Sequence, residues 1–272
     1  MLNTYGIISM TVATYANSLT AAKQRINTNQ VTWPRTIAML LSRLVLFAFY
    51  QIFFALIFLL SGQPEPWNGA IAWWPVTATL ANFTSILLLA RAARAEGLRL
   101  VDLYRGEAGS FGRDLLIALG LFVLAGPIAW LPNMGVAALL FSDPTSPTEI
   151  MFQPLPLWAA YSVMVLFPLT IALAELPTYM GYVLPRLEAL SSSRWMAIGL
   201  SGLALAAQHM TLPLVFDARF LLYRLLMFLL FALYMAVILH WRPRLLPFMM
   251  VGHALIDVAT MLMVVFTATG QM

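Results

Sequence analysis

The chain has 272 residues, of which 61% are hydrophobic and only 10% carry a formal charge. This composition lies far from that of an average soluble globular domain and excludes that class. The net charge of +4 would suggest nucleic acid as a partner of a soluble protein, but here the arginines stand between apolar runs, which indicates a role in orienting the chain. No nucleic-acid partner is expected. The lack of cysteine excludes disulfides, thiolate metal sites and cysteine nucleophiles.

Long apolar windows recur along the chain, each close to the roughly 20 residues that cross the hydrocarbon layer. They predict an all-α fold, a polytopic integral membrane helical bundle with about seven or eight transmembrane helices. An additional or re-entrant segment would come from residues 1–34, which are ambiguous between loop and interfacial helix, or from 134–141. The predicted spans lie near residues 38–61, 70–90, 115–132, 157–176, 195–214, 220–240 and 247–267.

The charged loop residues alternate between the two sides that these spans define. Cytoplasmic loops are enriched in Lys and Arg, so the basic side is expected to be the inside. This predicts an N-terminus inside and a C-terminus outside. The inside set is Lys23, Arg25, Arg35, Arg91, Arg94, Arg99, Arg105, Arg113, Arg186, Arg194, Arg242 and Arg244. The outside set is Glu65, Asp143, Glu149, Asp217 and Arg219.

The sequence also predicts the secondary structure of two connecting segments. Residues 91–113 mix arginines with Leu98, Leu100 and Leu103, a pattern typical of a helix in the headgroup plane, although a solvated loop fits equally well. Residues 142–156 contain four prolines and predict an extended loop without helix.

Few ionisable residues remain inside the predicted spans. Arg43 and Arg224 lie one or two turns from a span end, so we expect both to extend to the interface, and we expect His240 to be interfacial as well. The other members of the set lie about nine to fifteen residues deep, or about 14–22 Å at helical rise. They are Glu175, His209, His253 and Asp257.

Charged groups at that depth cost several kcal/mol unless they are paired or hydrated, so the four are expected to face one another or a cavity. His253 and Asp257 are spaced i, i+4, share a helix face and can hydrogen-bond. Pro177 is expected to loosen the helix just after Glu175. The alternative for each histidine alone is an interhelical hydrogen bond without further function.

In order and rough spacing, these residues resemble the CAAX protease and bacteriocin-processing family of membrane endopeptidases. That family is marked by E-E-x-x-x-R-G, F-x-x-x-H and H-x-x-x-N/D on successive helices. Here the motifs align with Glu175 to Gly181, Leu205 to His209, and His253 to Asp257. The sequence departs at Leu176, Met180 and Leu205, which replace the second glutamate, the arginine and the phenylalanine. The first two replacements remove a pair of charged residues that the family motif contains.

The resemblance covers roughly residues 155–270. It divides the chain into N-terminal membrane helices, residues 1–150 with the inside interfacial segment 91–113, and a catalytic core, residues 151–272. It implies a polypeptide substrate, a lipid bilayer around the protein, no cofactor, and a bacterial cytoplasmic membrane as the location. The substrate itself and the oligomeric state are not predicted.

The resemblance also implies a mechanism in which Glu175 and His209 hold and deprotonate a water that attacks a peptide carbonyl. The third motif would stabilise the oxyanion. A neutral imidazole can position water, and His253 can donate to the developing charge. Asp257 either is protonated or orients His253. The same four residues are also a possible zinc site with an open position for water.

Three rival functions stay open on the sequence. A catalytically inactive relative would bind a membrane partner or confer immunity to a secreted peptide, in keeping with the substitutions at Leu176 and Met180. A transporter or proton relay would use Glu175 and Asp257. A haem protein would ligate iron through His209 and His253.

Overall fold

The computed structural model describes residues 15–105 and 109–271, and these are almost entirely helical. Together with the apolar length of the helices, this confirms an all-α helical bundle and an integral membrane protein. The helices are α1 (Leu19–Asn27), α2 (Trp33–Leu60), α3 (Pro66–Ala72), α4 (Trp74–Ala95), α5 (Phe111–Leu140), α6 (Ser146–Met151), α7 (Leu157–Leu176), α8 (Leu184–Ser191), α9 (Arg194–Ala207), α10 (Ala218–Trp241) and α11 (Leu246–Ala268).

Six of the predicted spans correspond to helical segments long and apolar enough to cross a membrane. The predicted span 70–90 is divided, because α3 ends before Trp73 and α4 starts after it. The predicted span 115–132 extends to Leu140, which shows that residues 134–141 continue α5 rather than re-enter the membrane. The six segments are Trp33–Leu60, Trp74–Ala95, Phe111–Leu140, Leu157–Ser191, Ala218–Trp241 and Pro243–Ala268.

The remaining predicted span, 195–214, is a helix followed by irregular backbone. Helix α9 has only 14 residues, and a short 3₁₀ turn at Gln208–Met210 follows it. Thr211 then donates to the carbonyl of Leu44 at 3.0 Å, and the backbone of Leu214 makes two hydrogen bonds with the Gln51 amide, at 2.6 and 2.7 Å. The Gln51 side chain of α2 thus satisfies both backbone groups of Leu214, which lipid would leave unpaired.

The helix that follows Glu175 departs from α geometry, as the proline predicted. Residues Pro177–Val183 form a π-helix, and α8 continues from it. Gly181 lies in this segment against the 91–113 connection, where a Cβ atom would come 2.9 Å from the carbonyl oxygen of Leu103. The wider turn therefore packs closely against backbone from another part of the chain.

Ion pairs join the helix ends on the basic side of the bundle, which we call the basic end. Arg186 pairs with Glu96 at 2.7 Å with both side chains fully buried, and Arg244 pairs with Asp114 at 2.9 Å. His240 lies at this end, as expected, and contacts Glu188 at 3.2 Å. That this end faces the cytoplasm stays a prediction.

The connecting segments differ from their predicted forms. Residues 91–113 are not one interfacial helix: α4 ends within them, a 3₁₀ turn covers Leu100–Leu103, and α5 begins at Phe111. Leu98 and Leu103 are buried in the protein core rather than in headgroups. Residues 142–156 do contain a helix, α6, with Pro147 in its first turn, where proline is tolerated because that N–H has no helical partner.

The structure describes only part of residues 1–34, for which a loop or an interfacial helix was expected. Residues 1–14 lie outside the described residues. Within the remainder, α1 is followed closely by α2, and Asn17 donates to the carbonyl of Gly181 at 2.6 Å and accepts from Arg186 at 2.6 Å. Residues 15–27 thus pack on the protein at the basic end.

We expect Glu96→Gln to lower the stability of the purified protein markedly. Removing one partner of a buried ion pair leaves the Arg186 guanidinium uncompensated, at a cost of about 3–5 kcal/mol. Thermal unfolding in detergent measures the effect. The matched control is Arg99→Gln, which removes an exposed pair with Asp102 and should change stability by less than about 1 kcal/mol. Equal effects of the two substitutions would contradict the role assigned to the Arg186 pair.

Candidate functional site

The predicted site residues Glu175, His253 and Asp257 meet between α7 and α11. The Nε2 atom of His253 lies 3.2 Å from Oε1 of Glu175 and 3.2 Å from Oδ2 of Asp257. The i, i+4 spacing on α11 puts the last two residues on one face, as predicted. One imidazole nitrogen therefore faces two carboxylates, one from each helix.

The second carboxylate oxygen of Glu175 is held from the opposite side. Gln208 donates its amide to Oε2 at 2.7 Å, and Arg43 lies 3.4 Å from the same atom. Arg43 is 0% exposed and Glu175 2%. The prediction that Arg43 reaches the interface is therefore wrong, because an ion pair and side-chain acceptors inside the protein replace the water that it would otherwise seek.

Arg43 is itself fixed by neighbours on three segments. Its Nε donates to Gln208 Oε1 at 2.7 Å, and one terminal nitrogen donates to Asn82 at 2.9 Å and Ser85 at 3.3 Å on α4. Gln208 and Asn82 were not predicted as site residues, because neither is ionisable. Uncharged amides inside a span, one of them directly before His209, were the signal that could have found them.

His209 lies at the end of α9 with its ring orientation fixed. Its Nδ1 is 2.9 Å from the carbonyl of Leu205, and the ring stacks on Phe228 with centroids 3.7 Å apart. A carbonyl can only accept, so Nδ1 carries the proton and a neutral His209 has Nε2 as an acceptor. Such a nitrogen can accept a hydrogen bond from water.

A cavity of about 1310 Å³ brings His209, His253 and Asp257 to one surface. Its walls are otherwise mostly apolar and come largely from α5, α10 and α11. Glu175 does not line it and lies behind His253. The structure therefore places three of the four predicted residues on the cavity and the fourth in contact with one of them.

Arg224 also lines this cavity, which corrects a second expectation. It is 3% exposed and does not extend to the interface. Its Nε and one terminal nitrogen donate to the carbonyls of His209, at 3.3 Å, and Leu212, at 2.7 Å. Backbone carbonyls of the irregular segment after α9 thus accept the hydrogen bonds that water would accept at the interface.

The residues that depart from the family motifs are apolar and buried. Leu176 and Met180 are one helical turn apart, and both belong to the main hydrophobic core. Because the second glutamate and the arginine of the motif are both replaced by apolar residues, neither is left as a single unpaired charge, which would be costly inside a membrane. Leu205, in place of phenylalanine, is also buried in that core.

The zinc alternative has limited geometric support. Within residues 15–105 and 109–271, no group of three or more His, Asp or Glu side chains is placed to hold a metal ion. The nitrogen of His253 that faces the carboxylates lies between them, and the guanidinium of Arg43 occupies the other side of Glu175. Zinc binding by these residues stays a prediction, and no reaction step is derived from it.

No family model matches this chain, and neither do the curated proteins or the solved structures with which it was compared.

We expect Arg43→Met to destabilise the protein by about 3–5 kcal/mol, because it leaves the Glu175 carboxylate with a buried charge and too few partners. Adding Glu175→Gln to that variant should restore part of the loss, since the charge is then removed as well. Thermal unfolding of both single variants and the double variant gives the coupling energy. Additive losses would show that the two residues do not stabilise each other.

Proposed function

We propose that this chain is an intramembrane endopeptidase that hydrolyses a peptide bond with a water activated by Glu175 and His209. The observation that carries the proposal is the contact of Glu175, His253 and Asp257 through one imidazole nitrogen. These residues align with the first and third motifs of the family that the sequence resembles, and they come together from α7 and α11. The second motif contributes His209 to the same cavity.

In the proposed reaction, water enters between Glu175 and His209. Glu175 accepts a proton from the water as its oxygen attacks the peptide carbonyl, forming a tetrahedral intermediate with a negative oxygen. The proton then passes to the leaving amine as the C–N bond breaks. The products are a new carboxylic acid and a new amine, which exchange a proton to give a carboxylate and an ammonium group, and Glu175 is regenerated. A positioned base of this kind contributes roughly 10²–10⁴-fold to rate.

His253 is proposed to stabilise the oxyanion. Its Nε2 lies between two carboxylates, so that nitrogen donates, while its Nδ1 has no hydrogen-bond partner within the described part of the chain. This nitrogen is buried, and we propose that a protonated Nδ1 donates to the developing negative oxygen once the substrate contacts it. Asp257 would orient the ring and compensate its charge, which fits the second of the two roles considered from the sequence.

A catalytically inactive relative is the second candidate, and one observation favours it. Both oxygens of Glu175 already contact protein groups, His253 on one side and Gln208 with Arg43 on the other. For catalysis, water has to replace or join one of these contacts. If it does not, the cavity would serve to bind a membrane partner without cleavage.

We further propose that the protein resides in a bacterial cytoplasmic membrane with the basic end inside. The arginines gathered at that end support this orientation.

We expect Glu175→Gln and His209→Ala each to lower cleavage by at least about 10²-fold, the contribution of a general base and its partner. The assay uses purified protein in nanodiscs with a library of quenched fluorescent peptides. Hydrolysis in ¹⁸O-labelled water should add the label to the new carboxylate.

The matched control is His240→Ala, which removes a histidine at the basic end that does not line the cavity. It should retain cleavage. Cleavage that persists in both the Glu175→Gln and the His209→Ala variants would contradict the catalytic roles of these residues. If the unchanged protein binds peptides without cleaving them, the result favours the inactive relative.

A further inference from the structure

Arg224 is a buried cation without a buried anion beside it. No carboxylate of residues 15–105 or 109–271 lies within ion-pair distance of its guanidinium. Two of its nitrogens donate to neutral carbonyls, and the third contacts only the sulfur atoms of Met151, at 3.1 Å, and Met227, at 3.7 Å. Thioether sulfur is a weak acceptor, so this nitrogen has donor capacity that the protein does not use.

Arg224 differs from the two other buried arginines, Arg43 and Arg186, in lacking an acidic partner among the described residues. Each of those buried arginines has a glutamate partner, as expected for a charge inside a protein in a membrane. Arg224 has instead a face of the Phe228 ring, 5.0 Å from its central carbon, and a position on the wall of the large cavity. Its missing anion can therefore come from a molecule in that cavity.

The cavity has the volume and the apolar walls of a site for an apolar chain. At about 1310 Å³ it exceeds the roughly 300–1,000 Å³ of ordinary small-molecule sites. Its deep wall includes buried Trp74 and Phe167, whereas Trp130 and Leu255 on its rim are 60% and 67% exposed. Because α5 and α11 are membrane-spanning helices, an opening beside them faces lipid.

We propose that this cavity binds a single-chain amphiphile whose anionic head group, a carboxylate or a phosphate, pairs with Arg224. The apolar chain lies along the walls formed by α5 and α11 and reaches the rim at Trp130. The head group contacts the terminal nitrogen that now touches Met151 and Met227, two flexible side chains that can move aside.

Away from the candidate catalytic groups, the walls favour such a molecule over an extended peptide. Every peptide residue brings an N–H and a C=O that need partners once water is excluded. Apart from the candidate catalytic groups, the cavity offers few polar side chains, and two of them, Tyr223 and Asn133, already bond each other at 2.5 Å. A single-chain amphiphile has only one polar end to satisfy.

Binding of radiolabelled palmitate to the protein in phosphatidylcholine nanodiscs tests the proposal, with empty nanodiscs as background. Unlabelled palmitate, hexadecyl phosphate and hexadecanol compete. We expect saturable binding and competition by hexadecanol that is roughly 10- to 100-fold weaker, the value of a hydrogen bond to a charged group. Preference for palmitate identifies a carboxylate and preference for hexadecyl phosphate a phosphate, and either supports the proposal.

Two variants of Arg224 separate charge from structure. Arg224→Gln should bind palmitate roughly 10- to 100-fold more weakly, and Arg224→Lys, which keeps the cation, should retain most of the affinity. Unchanged palmitate affinity in a folded Arg224→Gln protein, or equal competition by hexadecanol and palmitate, would overturn the proposal. The second comparison needs only the unchanged protein, so it decides the question even if the variants do not fold.

A pair of glycines on α5 gives a matched test of the chain-binding wall. Gly126 lines the cavity and Gly120 does not, and an added Cβ at either position meets no atom within 4 Å. Gly126→Phe should fill the cavity and weaken palmitate binding, while Gly120→Phe should leave it unchanged. Equal binding by both variants would place the amphiphile elsewhere.

The binding does not depend on the peptidase proposal. Glu175→Gln protein, which we expect not to cleave peptides, should bind palmitate with the affinity of the unchanged protein. Loss of binding with intact cleavage, or the reverse, therefore tells the two proposals apart.

Discussion

The buried carboxylate of Glu175 needs partners inside the protein, and side chains from three other parts of the chain supply them. The packing of the helical bundle depends on bringing these side chains together. Arg43 comes from α2, Gln208 follows α9, and His253 belongs to α11. An unpaired carboxylate at this depth would cost several kcal/mol, so the helices that supply its partners have to meet at this point. The same contacts gather the groups from which the proposed chemistry is built.

Much of this arrangement could be predicted from the sequence. Six of the seven predicted spans follow from apolar length, and the departure from α geometry at Pro177 follows from the effect of proline on a helix, although its π-helical form was not predicted. The contact between His253 and Asp257 follows from helix periodicity, which is a local property. The meeting of α7 with α11 was inferred only from the cost of burying charges, together with a family resemblance.

The errors have a common physical cause. Arg43 and Arg224 were expected at the interface because they lie near span ends, but distance along a helix does not show which face a residue occupies. Arg43 faces Asn82 and Glu175, and Arg224 faces the irregular segment after α9. Similarly, Leu98 and Leu103 suited a headgroup helix in composition, yet they pack on core residues that are distant in sequence.

The irregular segment after α9 has a consequence for how this protein is made. Helix α9 is short, and the backbone that follows it finds partners on two other helices. Gln51 of α2, which is synthesised earlier, bonds both backbone groups of Leu214. Arg224 of α10, which is synthesised later, donates to the carbonyls of His209 and Leu212. A segment of this kind cannot enter lipid as an independent unit, because its backbone N–H and C=O groups would lack hydrogen-bond partners. Because one set of partners is synthesised before this segment and the other after it, the segment is fully hydrogen-bonded only once α2 and α10 have both packed on it, which makes its assembly a cooperative step of biogenesis.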